Sequence, residues 1–202
     1  MQKPEIPASF ELARTFFEIC KAADELQLSK SFLGAYFLMA IYKVQNMTLV
    51  AQLSNGVCWW ASSQMCYLWS QATGKGSMVE PDSDEGFKAR HQSNGDWFCG
   101  KNGFMADAFK MKKFTSLTMD YDSLKDFMIA HGPVFTSVEK NWDGHTGYGH
   151  AIVMCGVADT GVWIYDPEPV NVGGSKWMTW DQINKATGAV ADTADYGFLT
   201  AA

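Results

Sequence analysis

Two apolar runs, "GHAIVMCGVAD" (residues 149–159) and "GVWIYDPEP" (161–169), follow one another with only a Gly-containing turn between them. A connection that short makes a hairpin, so the runs read as paired antiparallel strands. Their surroundings extend the pattern. "YDSLKDFMIAHGPVFTSVEK" is a helix stopped at Gly132-Pro133 and followed by a strand. "KWMTWDQINKA" reads as a strand end, a Thr179 N-cap and a short helix, and "YGFLTA" as a last strand.

The first half has a different period. Residues 9–26 place Phe10, Leu12, Ala13, Phe16, Phe17 and Cys20 at helical spacing, and Leu28 to Val44 reads as a second helix. Thr48 to Gln52 reads as a short strand leading into "LSNG". A third helix runs from about Cys58 to Ala72 and ends near Thr73-Gly74. Residues 73–103 are rich in Gly, Ser, Asp and Asn, with short helices expected at 85–91 and 105–109; Trp97, Phe98 and Phe104 need burial. Helices first and an antiparallel sheet after them make an α+β chain. Its 202 residues suit one domain with a helical lobe (about 1–112) and a sheet lobe (about 113–202). Phe16, Phe17, Phe32, Tyr36 and Phe37 are expected in the core of the helical lobe.

Composition narrows the function classes. Apolar residues at 47% and charged residues at 19% fit a packed core and not a disordered chain. With a net charge of −6 and no basic run, neither nucleic acid nor an anionic membrane surface is an expected partner. No stretch reaches the ~18 apolar residues of a membrane span. The start, "MQKPEIPASFELARTF", lacks the basic end and apolar run of a secretory signal, which points to a cytoplasmic protein or one delivered as part of a secreted effector. Five cysteines, an odd number without a CxxC pair, argue against a disulfide framework and a zinc ribbon. No metal-ligand spacing and no cofactor motif is present; "GKGS" at 74–77 follows a helix and does not open one, so it is no phosphate loop.

Four residues can carry chemistry. Cys58 opens an aromatic-rich helix in "QLSNGVCWWASSQMCYLW", where unpaired N–H groups and the positive end of the dipole favour a thiolate. His150 starts an apolar strand between Gly149 and Ala151, whose small side chains let another element approach the imidazole. Asp166 ends the neighbouring strand, where its carboxylate can orient the ring. Gln52 precedes the helix by six residues, and its amide with the Cys58 N–H would form an oxyanion hole. Each alone has a simpler role: buried cysteine, core histidine, Asp-Pro turn, exposed glutamine. Together they supply the thiol, base, orienter and oxyanion donor of thiol acyl transfer. His91, His131 and His145 read as surface or capping residues, and Trp59, Trp60, Trp177 and Trp180 as core aromatics that line or roof a cleft at most in part.

In order and spacing these residues resemble the papain-like cysteine proteases. Gln52-x5-Cys58-Trp59-Trp60-Ala61-Ser62 is similar to that family's nucleophile motif, "GHAIVMCGV" to its histidine strand, and the interval from His150 to Asp166 to that between its histidine and orienting residue. "HGPVFTSV" is a further similarity, and the resemblance covers roughly residues 47–185. The Asp in "YDPEP", where plant and lysosomal members have Asn in an Asn-Ser-Trp segment, and the "WMTWDQI" tail look closer to compact bacterial members, namely bacteriocin-leader peptidases and proteases delivered into other cells. The resemblance implies an endopeptidase with Cys58, His150, Asp166 and Gln52 as its catalytic set, a protein or peptide substrate, and, for a delivered toxin, a cognate inhibitor or immunity protein covering the cleft. A cell-wall cysteine amidase, a transglutaminase-like acyl transferase and a silent binding module of the same fold stay open as alternatives.

Overall fold

The longest strand organises the chain. A computed structural model describes residues 41–93, 102–191 and 196–201, and these fall in one compact unit, Ala40–Ala202. Strand β4 (Tyr148–Ala158) is buried along almost its whole length on both faces, as its near-continuous apolar run requires. It pairs antiparallel with β3 (Val134–Lys140) on one side and, across the expected hairpin, with β5 (Gly161–Asp166) on the other. β6 (Gly174–Thr179) adds to β5. β7 (Phe198–Thr200) and β2 (Lys112–Phe114) extend the other edge, giving the order β2-β7-β3-β4-β5-β6. Among the described residues every pairing is antiparallel, and the mixture of helices and antiparallel sheet is α+β.

The five described helices are α1 (Cys58–Thr73), α2 (Glu85–Gln92), α3 (Asn102–Phe109), α4 (Tyr121–His131) and α5 (Trp180–Gly188). Their ends follow the local signals. Gly74 closes α1 in the left-handed conformation, Asp84 and Asp120 cap α2 and α4, and Thr179 and Gln182 form a capping box on α5. α1 and α4 pack on β4, and α5 on β3. Gly132, just past α4, has φ 80°, and a Cβ there would stand 2.2 Å from the Trp69 ring of α1. Only glycine lets α4 end that close to α1.

Three expectations change. Tyr42 and Lys43 are not the end of a helix: they form β1, paired with Val157 and Gly156 beyond the point where β3 begins. β4 is longer than β3, so its last residues need another partner for their backbone groups. Residues 48–52 do not join the sheet. Their segment docks on the loop after β5, with the Gln52 N–H donating to Pro167 O and the Asn171 N–H donating to Gln52 O. Phe104 is 49% exposed and meets Phe87 at a ring distance of 5.5 Å. The helix expected at 9–26, most of the one at 28–44, the core aromatics Phe16, Phe17, Phe32, Tyr36 and Phe37, and Trp97 and Phe98 lie outside the described residues. Among the described residues no helix is long and apolar enough to cross a membrane.

Candidate active site

Cys58 is the first residue of α1. Val57 supplies no side-chain cap, and the first turn carries no acidic residue, so the helix itself sets no negative charge against a thiolate at its positive end. One turn on, Ser62 Oγ donates to the Ala151 carbonyl at 3.1 Å. That bond ties the start of α1 to the start of β4, next to His150. Ala61, Ser62, Gly149 and Ala151 are all small, which is why helix and strand can approach so closely.

His150 pairs with Val138 across β3–β4. The β4–β5 register, with Val153 opposite Tyr165, carries Asp166 to a place opposite Ile152, two residues from His150 on the same face. His150 Nε2 donates to Asp166 Oδ1 at 2.7 Å, which leaves Nδ1 for the Cys58 thiol, to which the ring is also hydrogen-bonded. Trp142 and Tyr148 stand edge-on to the imidazole at 6.4 and 5.9 Å and hold its plane. Burial favours the neutral ring, but the charge on Cys58 and the bonds to Asp166 and Cys58 outweigh it and raise His150 to about 9. Cys58 and His150 thus stand as a hydrogen-bonded thiol–imidazole pair in which the ring is shifted toward its cation.

Asp166 is 4% exposed and accepts four hydrogen bonds: from His150 and the Glu168 N–H on Oδ1, and from Lys140 Nζ and Trp142 Nε1 on Oδ2. Burial raises its pKa, yet His150, Lys140 and the Glu168 N–H hold it well below the ordinary carboxylate range. Lys140, 1% exposed, also donates to Glu168 Oε2 at 2.6 Å. Tyr148 Oη donates to the same oxygen at 2.5 Å. Burial and the bond to Glu168 push the Tyr148 phenol up, and Glu168 itself is lowered by Lys140 and Tyr148 against the effect of burial.

Gln52 is 1% exposed and its Nε2 donates to Glu168 Oε1 at 3.1 Å. Gln52, Asn55, Gly56, Cys58, His145, Tyr148, Gly149, His150 and Glu168 line a cleft of about 300 Å³. All four residues singled out in the sequence therefore meet: three line this cleft, and Asp166 stands directly behind His150. Gln52, expected to be exposed unless functional, is buried.

Sequence reasoning missed Lys140, Glu168 and Tyr148. Lys140 lies two residues past Val138, so the β3–β4 register puts it on the His150 face; in the sequence it is one more charged residue at the end of a mixed strand. His91 is not a surface residue: it lies in α2, stacks on Trp60 at 3.7 Å, and its Nδ1 is 3.2 Å from Asp82 Oδ1, which also accepts from Trp60 Nε1. None of Trp59, Trp60, Trp177 or Trp180 lines the cleft. Trp59 stacks with Phe109, Trp177 meets Trp163, and Trp180 Nε1 donates to Asp159 O.

Ligand atoms of His150, Asp166 and Glu168 stand within 4.8 Å of one another, a spacing that suits a cation. The Lys140 ammonium already occupies that role, at 2.8 and 2.6 Å from the two carboxylates. Cys66 and Cys155 are buried free thiols. Burial pushes both up, Cys155 to about 12, so they are poor nucleophiles. The chain matches no protein-family model and no curated protein. The chemistry of the site is what bears on function.

Proposed function

We propose that the protein is a papain-like cysteine endopeptidase that cleaves peptide bonds through Cys58, His150 and Asp166. One observation carries the reading: a thiol at a helix start, on the edge of an open cleft, is hydrogen-bonded to a buried histidine whose far nitrogen is held by a buried carboxylate. The Cys58 thiolate attacks the substrate carbonyl. The Gln52 amide and the Cys58 N–H receive the oxyanion. His150 Nδ1 gives its proton to the leaving amine, then takes one from the water that releases the acyl group. Asp166 keeps the ring oriented and stabilises its cation. The delivered-toxin reading rests on the resemblance to compact bacterial members, and a pull-down from the producing strain that finds no cleft-binding partner would count against it.

The test is proteomics of newly formed protein N-termini after adding the protein to a cell lysate, with Cys58→Ala alongside. New termini that require Cys58 support an endopeptidase. Cys58-dependent loss of side-chain amides, or joining of amines to them, without chain cleavage would replace it with the amidase or acyl-transferase reading. No Cys58-dependent product of any kind would favour a binding module.

A further inference from the structure

An oxyanion hole needs the Gln52 amide in one of its two orientations. The NH2 group must face the developing charge; the amide oxygen in its place would repel it. The Gln52 backbone is pinned by Pro167 O and the Asn171 N–H, but neither bond fixes the end of the side chain. Gln52 Oε1 is buried without a hydrogen-bond partner, so nothing on the oxygen side chooses the orientation. The nitrogen side does: Nε2 lies 3.1 Å from Glu168 Oε1. An ionised carboxylate only accepts, so it rejects the flipped amide, which would set oxygen against oxygen. Glu168 is itself fixed, because Lys140 and Tyr148 both donate to its Oε2.

We infer that Glu168, clamped by Lys140, is a positioning residue that fixes the Gln52 amide as an oxyanion donor, taking one Nε2 hydrogen and leaving the other for the cleft. This rests on the function proposed above. Lys140 also bonds Asp166, so a single buried ammonium joins the group that orients the base to the group that orients the oxyanion donor.

The inference can be tested without the natural substrate, by comparing two reagents at Cys58. Iodoacetamide alkylates a thiolate at saturated carbon: the C–S bond forms, iodide leaves, and no oxyanion develops. 4-Nitrophenyl acetate acylates it: the thiolate adds to the carbonyl, an oxyanion forms, and 4-nitrophenolate leaves S-acetylated Cys58. The ratio of acylation to alkylation rates therefore reads oxyanion stabilisation. Both rates are followed at Cys58 by mass spectrometry and corrected with Cys58→Ala.

Loss of one oxyanion donor costs about 10²–10³ in turnover. For this activated ester, Gln52→Ala is expected to lower the ratio about tenfold or more, with the loss set by that same donor. Glu168→Gln, which lets the facing amide flip, should match it, and the double variant should fall no further than Gln52→Ala. If Glu168→Gln does not fold, Glu168→Asp keeps a carboxylate for Lys140 but withdraws it from Gln52, and the same drop is expected. A wild-type ratio in the Glu168 variant, or losses that multiply in the double variant, overturns the inference and leaves the proposed function standing. An unchanged ratio in Gln52→Ala removes the donor, and the inference with it. If Cys58 in the wild-type protein reacts with neither reagent, the proposed function fails and takes the inference with it.

Discussion

His150 Nε2 lies 2.7 Å from Asp166 Oδ1, and both side chains are almost fully buried. The carboxylate does not stand there as a proton acceptor. Four hydrogen bonds saturate it, and it is held below the ordinary carboxylate range. Its contribution is a fixed negative charge behind the imidazole, which keeps Nδ1 on the thiol and stabilises the cation there.

Replacing Asp166 by Asn keeps the shape and removes that charge. Acylation of Cys58 by 4-nitrophenyl acetate should fall by about 10²-fold or more. In the same variant the His150 imidazole, followed by NMR, should titrate clearly below its position in the wild-type protein, because the bond from Asp166 that raises it is weakened. An unchanged titration would mean that Asp166 only packs.

The two shifts set a pH window for stability. His150 is raised above its ordinary value of ~6.5, so its contribution is complete below that pH and is lost as pH rises through about 9. Asp166 is lowered, so its contribution is present above the ordinary carboxylate range, ~4, and is lost as pH falls through its depressed value. Urea unfolding should show greatest stability between about pH 5 and 7, with an alkaline decline that is smaller in His150→Gln. Equal alkaline declines in the two proteins would contradict the assignment.

Lys140→Met should be among the most damaging changes outside the cleft. It leaves the buried Asp166 and the half-buried Glu168 as neighbouring carboxylates without their shared cation. Breaking a buried pair in this way costs about 3–5 kcal/mol, which denaturant unfolding at neutral pH can measure. The cost should shrink in acid, where Glu168 takes up a proton.

Gly132→Ala tests the packing that holds α1. It combines a left-handed backbone with a Cβ 2.2 Å from the Trp69 ring, so a loss of about 2–4 kcal/mol in unfolding free energy is expected. A neutral effect would mean that α4 and α1 can move apart freely.

Much of the sheet was legible because its signals are local. The β4–β5 hairpin, the stop at Gly132-Pro133 and the Thr179 cap each depend on a few adjacent residues, and each stands where the pattern put it. Cys58, His150 and Asp166 stood out for a different reason: each sits at or near an element boundary, where residue type carries chemical meaning, while Gln52 stood out by its spacing from Cys58 alone. What failed depended on distant partners. Tyr42 and Lys43 continue a helical pattern, but the unpaired end of β4 draws them into the sheet. Residues 48–52 have strand-like composition, but their backbone bonds go to the 167–171 loop.

The clamp on Gln52 was hidden for the same reason. Lys140 and Glu168 look like ordinary charged residues near strand ends, and only the β3–β4 register and the loop after β5 turn them inward onto Asp166 and Gln52. His91 sits in a polar stretch of sequence and becomes a buried residue only because Trp60 offers its face.

The most direct measurement is the rate of iodoacetamide alkylation of Cys58 in the native protein as pH is varied, read by mass spectrometry, with His150→Ala beside it. The expected result is fast alkylation of Cys58, well ahead of Cys66 and Cys155, whose thiols burial pushes up, already at a pH where a free thiol of pKa ~8.5 is mostly protonated. In His150→Ala that low-pH reactivity should disappear. A Cys58 that stays unreactive until the protein unfolds, or that reacts equally well without His150, would contradict the thiolate–imidazolium pair and the endopeptidase built on it.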